Sequence, residues 1–245
     1  MSMRQFFLLS ILWVSSGAVS ANTPLVDVTI NHQAYSFETA PRLAEVLKPL
    51  AEQDDWYWPA TRLYRANSPF IEQQRQQTLD FIAQLINTTD MPLKALLAQL
   101  HVDIKSWNLA ERVPLTIDYD LARTVPAFNP RFEKGSYQLF IAKRPTDVHF
   151  WGAIPITVSL PHRSAAPASS YITELQQNQF KDTDRVFIMQ PDGEVIEVGV
   201  QLWNKQHIEI MPGSMVFIPF ATHWFTSELT ELNRQLLALA VHRIY

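Results

Sequence analysis

Asp118, Asp120 and Arg123 concentrate the most chemistry in this 245-residue chain. A guanidinium carries five fixed donors, so Arg123 can hold a carboxylate bidentately or sugar hydroxyls singly, with Asp118 or Asp120 orienting it. On a strand, two carboxylates two residues apart would share one face. Paired carboxylates cut glycosides, but carboxylates at turns are far commoner, so hydrolysis is the lesser reading. For Arg123 the competing role is a structural salt bridge. Trp56, Tyr57 and Trp58 form an aromatic cluster. Trp56 and Trp58 are candidates for stacking on sugar faces, although packing is the commoner fate of such rings. Trp151 and Trp203 are expected in the core or in a hairpin for the same reason.

Other familiar chemistry is missing from the chain. It has no G-x-S-x-G, H-E-x-x-H or Walker pattern. The seven histidines (32, 101, 149, 162, 207, 223 and 242) lack ligand spacing, so no metal or other cofactor is expected. His149 and His207 read as strand residues. With only 6 glycines, a glycine-rich phosphate loop is out of reach. The formal charge of −4 gives no basic stripe for nucleic acid.

The elements that must carry these residues follow from periodicity. Leu25–Ile30 alternates as a strand, and Tyr35–Phe37 suits a partner strand. Pro41 opens a short helix with Leu43, Val46, Leu47 and Leu50 on one face. Trp56–Tyr64 reads as extended. Ser68-Pro69 starts a glutamine-rich helix running to Ile86, and Asp90 caps a second helix with Leu93, Leu96, Leu97 and Leu100 aligned. Together they predict a helical hairpin at about 68–107. Strands are predicted at 113–117, 137–142, 148–151, 186–190, 195–198, 208–210 and 215–219. Pro191-Asp192-Gly193 forms the turn of one hairpin. A short helix is predicted over 171–179. An amphipathic helix from about Ser227 closes the chain with Leu229, Leu232, Leu236 and Leu239 on one face. That face is expected to dock on its own domain rather than on a membrane or a partner.

The first residues read as a leader. Arg4 is followed by the apolar run Phe6–Val14, and Val19-Ser20-Ala21 precedes a cut at Asn22. A signal peptide is therefore expected over 1–21, which leaves 224 of the 245 residues and a charge of −5 once Arg4 is gone. The run is too short to span a bilayer, and no later run of about 18 apolar residues exists. With no cysteine, an acylated anchor, disulfides and thiolate metal sites are excluded. A free periplasmic protein of the Gram-negative type is expected.

Two stretches repeat. Gly135–Ile141 resembles Gly213–Ile218, each a Gly-Ser turn entering an apolar strand, and Val26-Asp27-Val28 parallels Val148-His149-Phe150. The spacings are 109 and 65 residues; the excess of 44 is close to the length of the helical hairpin. The pattern reads as two copies of one small α+β unit, the first carrying a helical insertion.

The segments VHFWGAI (148–154), VFIMQPDGEVIEV (186–198) and IEIMPGSMVFIPF (208–220) resemble an SLBB-type β-grasp module of outer-membrane polysaccharide exporters. The whole of 22–245 is similar to the GfcC-type capsule and exopolysaccharide biosynthesis family. The resemblance implies an α+β fold of two tandem β-grasp (SLBB-like) domains, at 22–145 and 146–222. A helical hairpin is inserted in the first, and a C-terminal amphipathic helix spans 223–245. It implies a non-enzymatic accessory role in polysaccharide assembly or export, as a monomer whose partners are surface polysaccharide or outer-membrane export proteins. A polysaccharide-modifying enzyme using Asp118 or Asp120, and a ring-forming export subunit, are the alternatives. It further implies a cleft arginine in the first domain. Arg123 matches best, and Arg112 or Arg131 are alternatives.

Overall fold

The computed structural model describes residues 24–51, 55–175, 180–182, 184–222 and 227–244. The expected signal peptide lies outside them, as do 176–179 of the helix expected at 171–179 and the first residues of the 223–245 segment.

The chain opens with strands β1 (Val26–Ile30) and β2 (Gln33–Phe37). Their two-residue turn, Asn31-His32, has positive φ at both positions, the twist that suits a tight hairpin. The Asn31 amide donates to the Ile141 carbonyl at 2.7 Å and its Oδ1 accepts from the Ile141 N–H at 3.0 Å, which fastens the turn to the end of the strand that lies beside β1. Helix α1 (Leu43–Ala51) follows, burying Leu43, Val46, Leu47 and Leu50 as the periodicity requires. Glu45 reaches back to accept from the Arg42 N–H at 3.0 Å, satisfying a donor that the helix start leaves over.

Next come β3 (Arg62–Arg65), the long helix α2 (Pro69–Thr88) and α3 (Leu93–Ser106). Proline at the first position of α2 is where its missing N–H costs nothing. Asp90 does not cap α3 with its side chain. That helix begins after Pro92, and Asp90 contributes only its carbonyl, to the Lys94 N–H. Then follow β4 (Asn108–Leu109), β5 (Glu111–Arg112), the short helix α4 (Tyr119–Thr124) and β6 (Gly135–Phe140). The strand expected at 113–117 is displaced to Glu111–Arg112. Val113 still donates to the Leu63 carbonyl at 2.9 Å, but Pro114 has no N–H to continue the ladder.

The second half comprises β7 (Asp147–Gly152), β8 (Val158–Pro161), α5 (Ala168–Ile172), β9 (Arg185–Met189), β10 (Val195–Gly199), β11 (Met215–Ile218), α6 (Ser227–Ala240) and β12 (Arg243–Ile244). The segment 208–210, expected as a strand, keeps only a single bridge from Glu209 to Pro167.

Among the described residues ten strands form two five-stranded sheets, ordered β2-β1-β6-β3-β5 and β8-β7-β11-β9-β10, and β4 and β12 form a two-stranded third. Pairing senses agree position by position. The outer hairpins β1–β2 and β7–β8 are antiparallel, β1–β6 and β7–β11 are parallel, and the remaining pairs are antiparallel. At the start of β6 the Gly135 N–H donates to the Leu25 carbonyl, and before β11 the Gly213 N–H donates to the Asp147 carbonyl. Gly152 sits at φ +112°, where an added Cβ would overlap the Ile218 carbonyl and the Phe217 ring, so only glycine fits.

There are two cores. The smaller joins β1, β6 and α1 through Val26, Val28, Leu47 and Leu139. The larger joins the second sheet to α2, α3 and α6. Thus the hairpin that interrupts the first sheet in sequence packs with the second. Trp107, just after α3, meets Trp151 edge-to-face at 5.1 Å, and Trp151 lies against Phe217 at 4.6 Å. Helix α6 buries Leu232, Leu236 and Leu239 in the same core and packs along α2. Its leucine face is therefore covered by the chain itself. Among the described residues no helix is long and apolar enough to cross a membrane.

Asn233 locks α6 in register. Its Oδ1 accepts from the Phe220 N–H at 2.9 Å and its amide donates to the Phe220 carbonyl at 2.8 Å, all buried. Asn233→Ala leaves two buried backbone groups unpaired, and urea denaturation is expected to show a loss of about 2–4 kcal/mol. A surface change on the same helix, Glu228→Ala, is expected to leave the midpoint unchanged.

Candidate functional site

The side chains singled out by sequence fall into three separate places. Asp118 and Asp120 lie on no strand; they begin α4. Asp118 is its N-cap, and its Oδ1 accepts from the Leu121 N–H at 2.9 Å. Asp120 approaches Arg123 at 4.0 Å across one helical turn, with both side chains largely exposed. The Arg123 guanidinium rests over the Tyr119 ring, 5.3 Å from its centroid. All four residues thus act within one short helix. The two carboxylates do not face each other across a cleft.

Trp56 and Trp58 are half-buried against the smaller core. The Trp56 indole N–H donates to the Leu50 carbonyl at 2.9 Å, closing the end of α1. Arg144 covers the Tyr57 ring at 5.1 Å. Arg131 donates to the Ala40 carbonyl at 2.8 Å, at the surface.

Arg112, one of the alternatives, lines a cleft. It sits on β5, at the edge of the first sheet, facing the Pro191-Asp192-Gly193 turn that joins β9 to β10. One guanidinium nitrogen donates to the Pro191 carbonyl at 2.5 Å. Gly193 has φ +101°, and a Cβ there would come within 2.9 Å of the guanidinium carbon. Glycine at that turn is what lets the arginine lie flat against it. The cleft, about 600 Å³, is lined by Arg112, Pro114, Leu115, Thr116 and Val241, with Asp192 and Glu194 on one rim and His242 at its back. It combines a planar cation, two carboxylates and an apolar wall, groups suited to a polyhydroxylated or carboxylated ligand.

The cleft is held open by the seam between the two halves. β12 pairs with β4, and the Ala110 N–H donates to the His242 carbonyl. The Arg112 N–H donates to His242 Nδ1 at 3.0 Å, which places the ring proton on Nε2. Buried Tyr64 donates its hydroxyl to the Arg243 carbonyl at 2.9 Å, and the Arg243 guanidinium covers Trp107 at 4.8 Å. On the neighbouring strands, His149 Nδ1 lies 2.8 Å from Ser159 Oγ. Sequence reasoning named Arg112 only as an alternative. The turn motif at 191–193 was legible, but nothing local joined it to a residue 79 positions earlier.

Among the described residues no three His, Asp or Glu side chains gather as a metal site. Two matched mixed sheets, a helical hairpin that joins the halves and an arginine-bearing cleft at the seam define an α+β protein. The chain belongs to the GfcC capsule biosynthesis family: the family's N-terminal region matches residues 20–144 and its C-terminal region matches 156–245. The first match ends between β6 and β7, and the second begins just after β7. A relative in Escherichia coli strain K12, "Uncharacterized protein YjbG", is 24% identical over 232 residues, covering 94% of each chain.

Two seam histidines are held below their ordinary range. Burial is the main cause for both, reinforced by Arg112 at His242 and by Arg243 and Arg62 at His149, while Glu111 and Asp147 respectively oppose it. A lowered folded pKa means that the unfolded chain binds protons first. Stability is then complete above the unfolded value near 6.5 and falls as pH drops below it, until the folded ring also protonates. The urea midpoint is expected to be lower at pH 5.5 than at pH 7.5. His242→Asn, which keeps an acceptor for the Arg112 N–H, is expected to flatten that dependence.

Proposed function

We propose that this protein is a periplasmic, non-enzymatic accessory of capsule or exopolysaccharide assembly, and that the Arg112 cleft is where it engages the polysaccharide. The observation that carries the reading is the placement of Arg112, whose guanidinium donates to the Pro191 carbonyl while its backbone N–H donates to the His242 ring. A guanidinium fixed by its own chain loses little freedom when a ligand arrives. A guanidinium at that place suits a uronate carboxylate or a pair of ring hydroxyls, and Asp192 and Glu194 can accept from further hydroxyls. Leu115 and Val241 offer an apolar wall to a sugar face.

Family membership supports the pathway: both family regions are those of capsule biosynthesis. The matched strand orders of the two sheets support reading the halves as tandem β-grasp, SLBB-like units. The leader over 1–21 and the absence of cysteine support a free protein in the periplasm. A non-enzymatic role fits the local duties of Asp118 and Asp120 described above. Surface polysaccharide is the favoured ligand, and the export machinery is its natural neighbour.

The test is complementation. A strain lacking the gene should show reduced or altered surface polysaccharide. Wild type and Arg123→Ala should restore it, while Arg112→Ala, present at wild-type level in the periplasm, should not. Full restoration by Arg112→Ala would remove the cleft from the mechanism. Unchanged polysaccharide in the deletion strain would remove the pathway.

A further inference from the structure

A second groove lies in the second half, between the start of β9 and the turn that leaves β10. Its volume is about 490 Å³. At its rim stands Trp203, 76% exposed, on a turn where Leu202 is 96% exposed. Sequence placed this tryptophan in the core or a hairpin. The structure puts it at the surface, because the turn is pinned from behind and holds the ring outward. The Asn204 side chain donates to the Asp184 carbonyl at 2.8 Å and accepts from the Gln201 N–H at 3.0 Å. The Val200 N–H donates to Asp184 and the Gln206 N–H to Gly199. Gly199 carries no side chain because the Asn204 backbone occupies that space. Four ties on so short a segment fix the position of the ring before any ligand arrives.

The groove floor is polar and planar. Arg185 donates to Glu197 at 3.1 Å and to Asp182 at 3.2 Å, holding all three side chains in place. Glu197 is exposed and gives Arg185 only one oxygen. Asp184, Asn204 and Gln206 complete the lining.

We propose that this groove binds a neutral pyranose segment of a glycan, stacked on Trp203. The negative face of an indole attracts the C–H face of a sugar ring, while the hydroxyls around the ring need planar acceptors and donors at its edge. Both are present in one groove. Charge selects the ligand. Three carboxylates, Asp182, Asp184 and Glu197, face one guanidinium, Arg185, and the chain as a whole is acidic. A uronate or an anionic lipid surface would be repelled, whereas an uncharged sugar would not. The two sites thus differ in chemistry: the Arg112 cleft can accept an acidic residue, which the Trp203 groove would repel. The proposal rests on the reading that the protein acts on surface polysaccharide, and it assigns that reading a second contact.

The experiment is calorimetric titration of the mature chain with neutral oligosaccharides of glucose, galactose, mannose and fucose, beside hexagalacturonate and vesicles of phosphatidylethanolamine and phosphatidylglycerol. At least one neutral oligosaccharide should bind. Trp203→Ala should weaken it about tenfold or more, and Trp203→Phe should keep part of the affinity. Glu228→Ala, exposed on α6 and outside both sites, should bind it as wild type does. Trp203 is exposed, so Trp203→Ala should melt at the wild-type temperature, which separates lost binding from lost folding. The proposal is overturned if no neutral sugar binds, or if Trp203→Ala binds equally well. It is also overturned if the tryptophan proves to serve hexagalacturonate or vesicles instead. Binding that depends on Arg112 but not on Trp203 would overturn the groove and leave the cleft standing.

Discussion

The structure depends on covering one face of the second sheet. The five strands β8-β7-β11-β9-β10 turn Val148, Phe150, Val186, Ile188, Val216 and Ile218 to the opposite side, where Tyr171 meets Phe150, and Trp151, Met189, Met215 and Phe217 to this one. Their own crossover helix, α5, is only five residues long and contributes Ala168 and Tyr171. An open sheet cannot leave such a face in water. Helices α2 and α3, drawn from the first half of the chain, and α6, from its end, close it. The first sheet makes no such demand, because the nine residues of α1 supply Leu43, Val46, Leu47 and Leu50.

That asymmetry has a mechanical consequence. A hairpin that leaves the first sheet, packs on the second and returns must hold the halves together. Trp107 meets Trp151 where the hairpin ends, and the next residues, β4, take the last strand of the chain as their partner. The seam so formed places β5 beside the β9–β10 turn, which is why Arg112 finds Pro191 and His242. The cleft is a by-product of how a core was completed. The same packing covers the leucine face of α6, so the element with the most obvious appetite for a membrane or a partner has spent it internally.

The two grooves separate by charge and by neighbourhood. The seam cleft has a cation at its mouth and neutral histidine behind it. The Trp203 groove has an excess of carboxylate and an exposed ring. A polymer of mixed neutral and acidic sugars offers chemistry for both, which a single site of either kind would not accommodate.

The sequence by itself determined what depends on neighbours a few residues away. The buried face of α1, the limits of α2, the Pro-Asp-Gly turn and the Gly-Ser entries of β6 and β11 all follow from periodicity and turn chemistry. The family was legible too, because the order of such elements is itself a pattern. Local reading misplaced the strand around Pro114, where a missing N–H outweighs apolar residues, and it left Trp203 to the core or a hairpin. Tertiary structure alone decided which core received the helical hairpin, where the leucines of α6 went and which arginine faced a cleft. Amphipathic helices advertise that they will bury a face but not against what. The contacts of Arg112 join residues 79 and 130 positions apart, and no period in the chain records such a meeting.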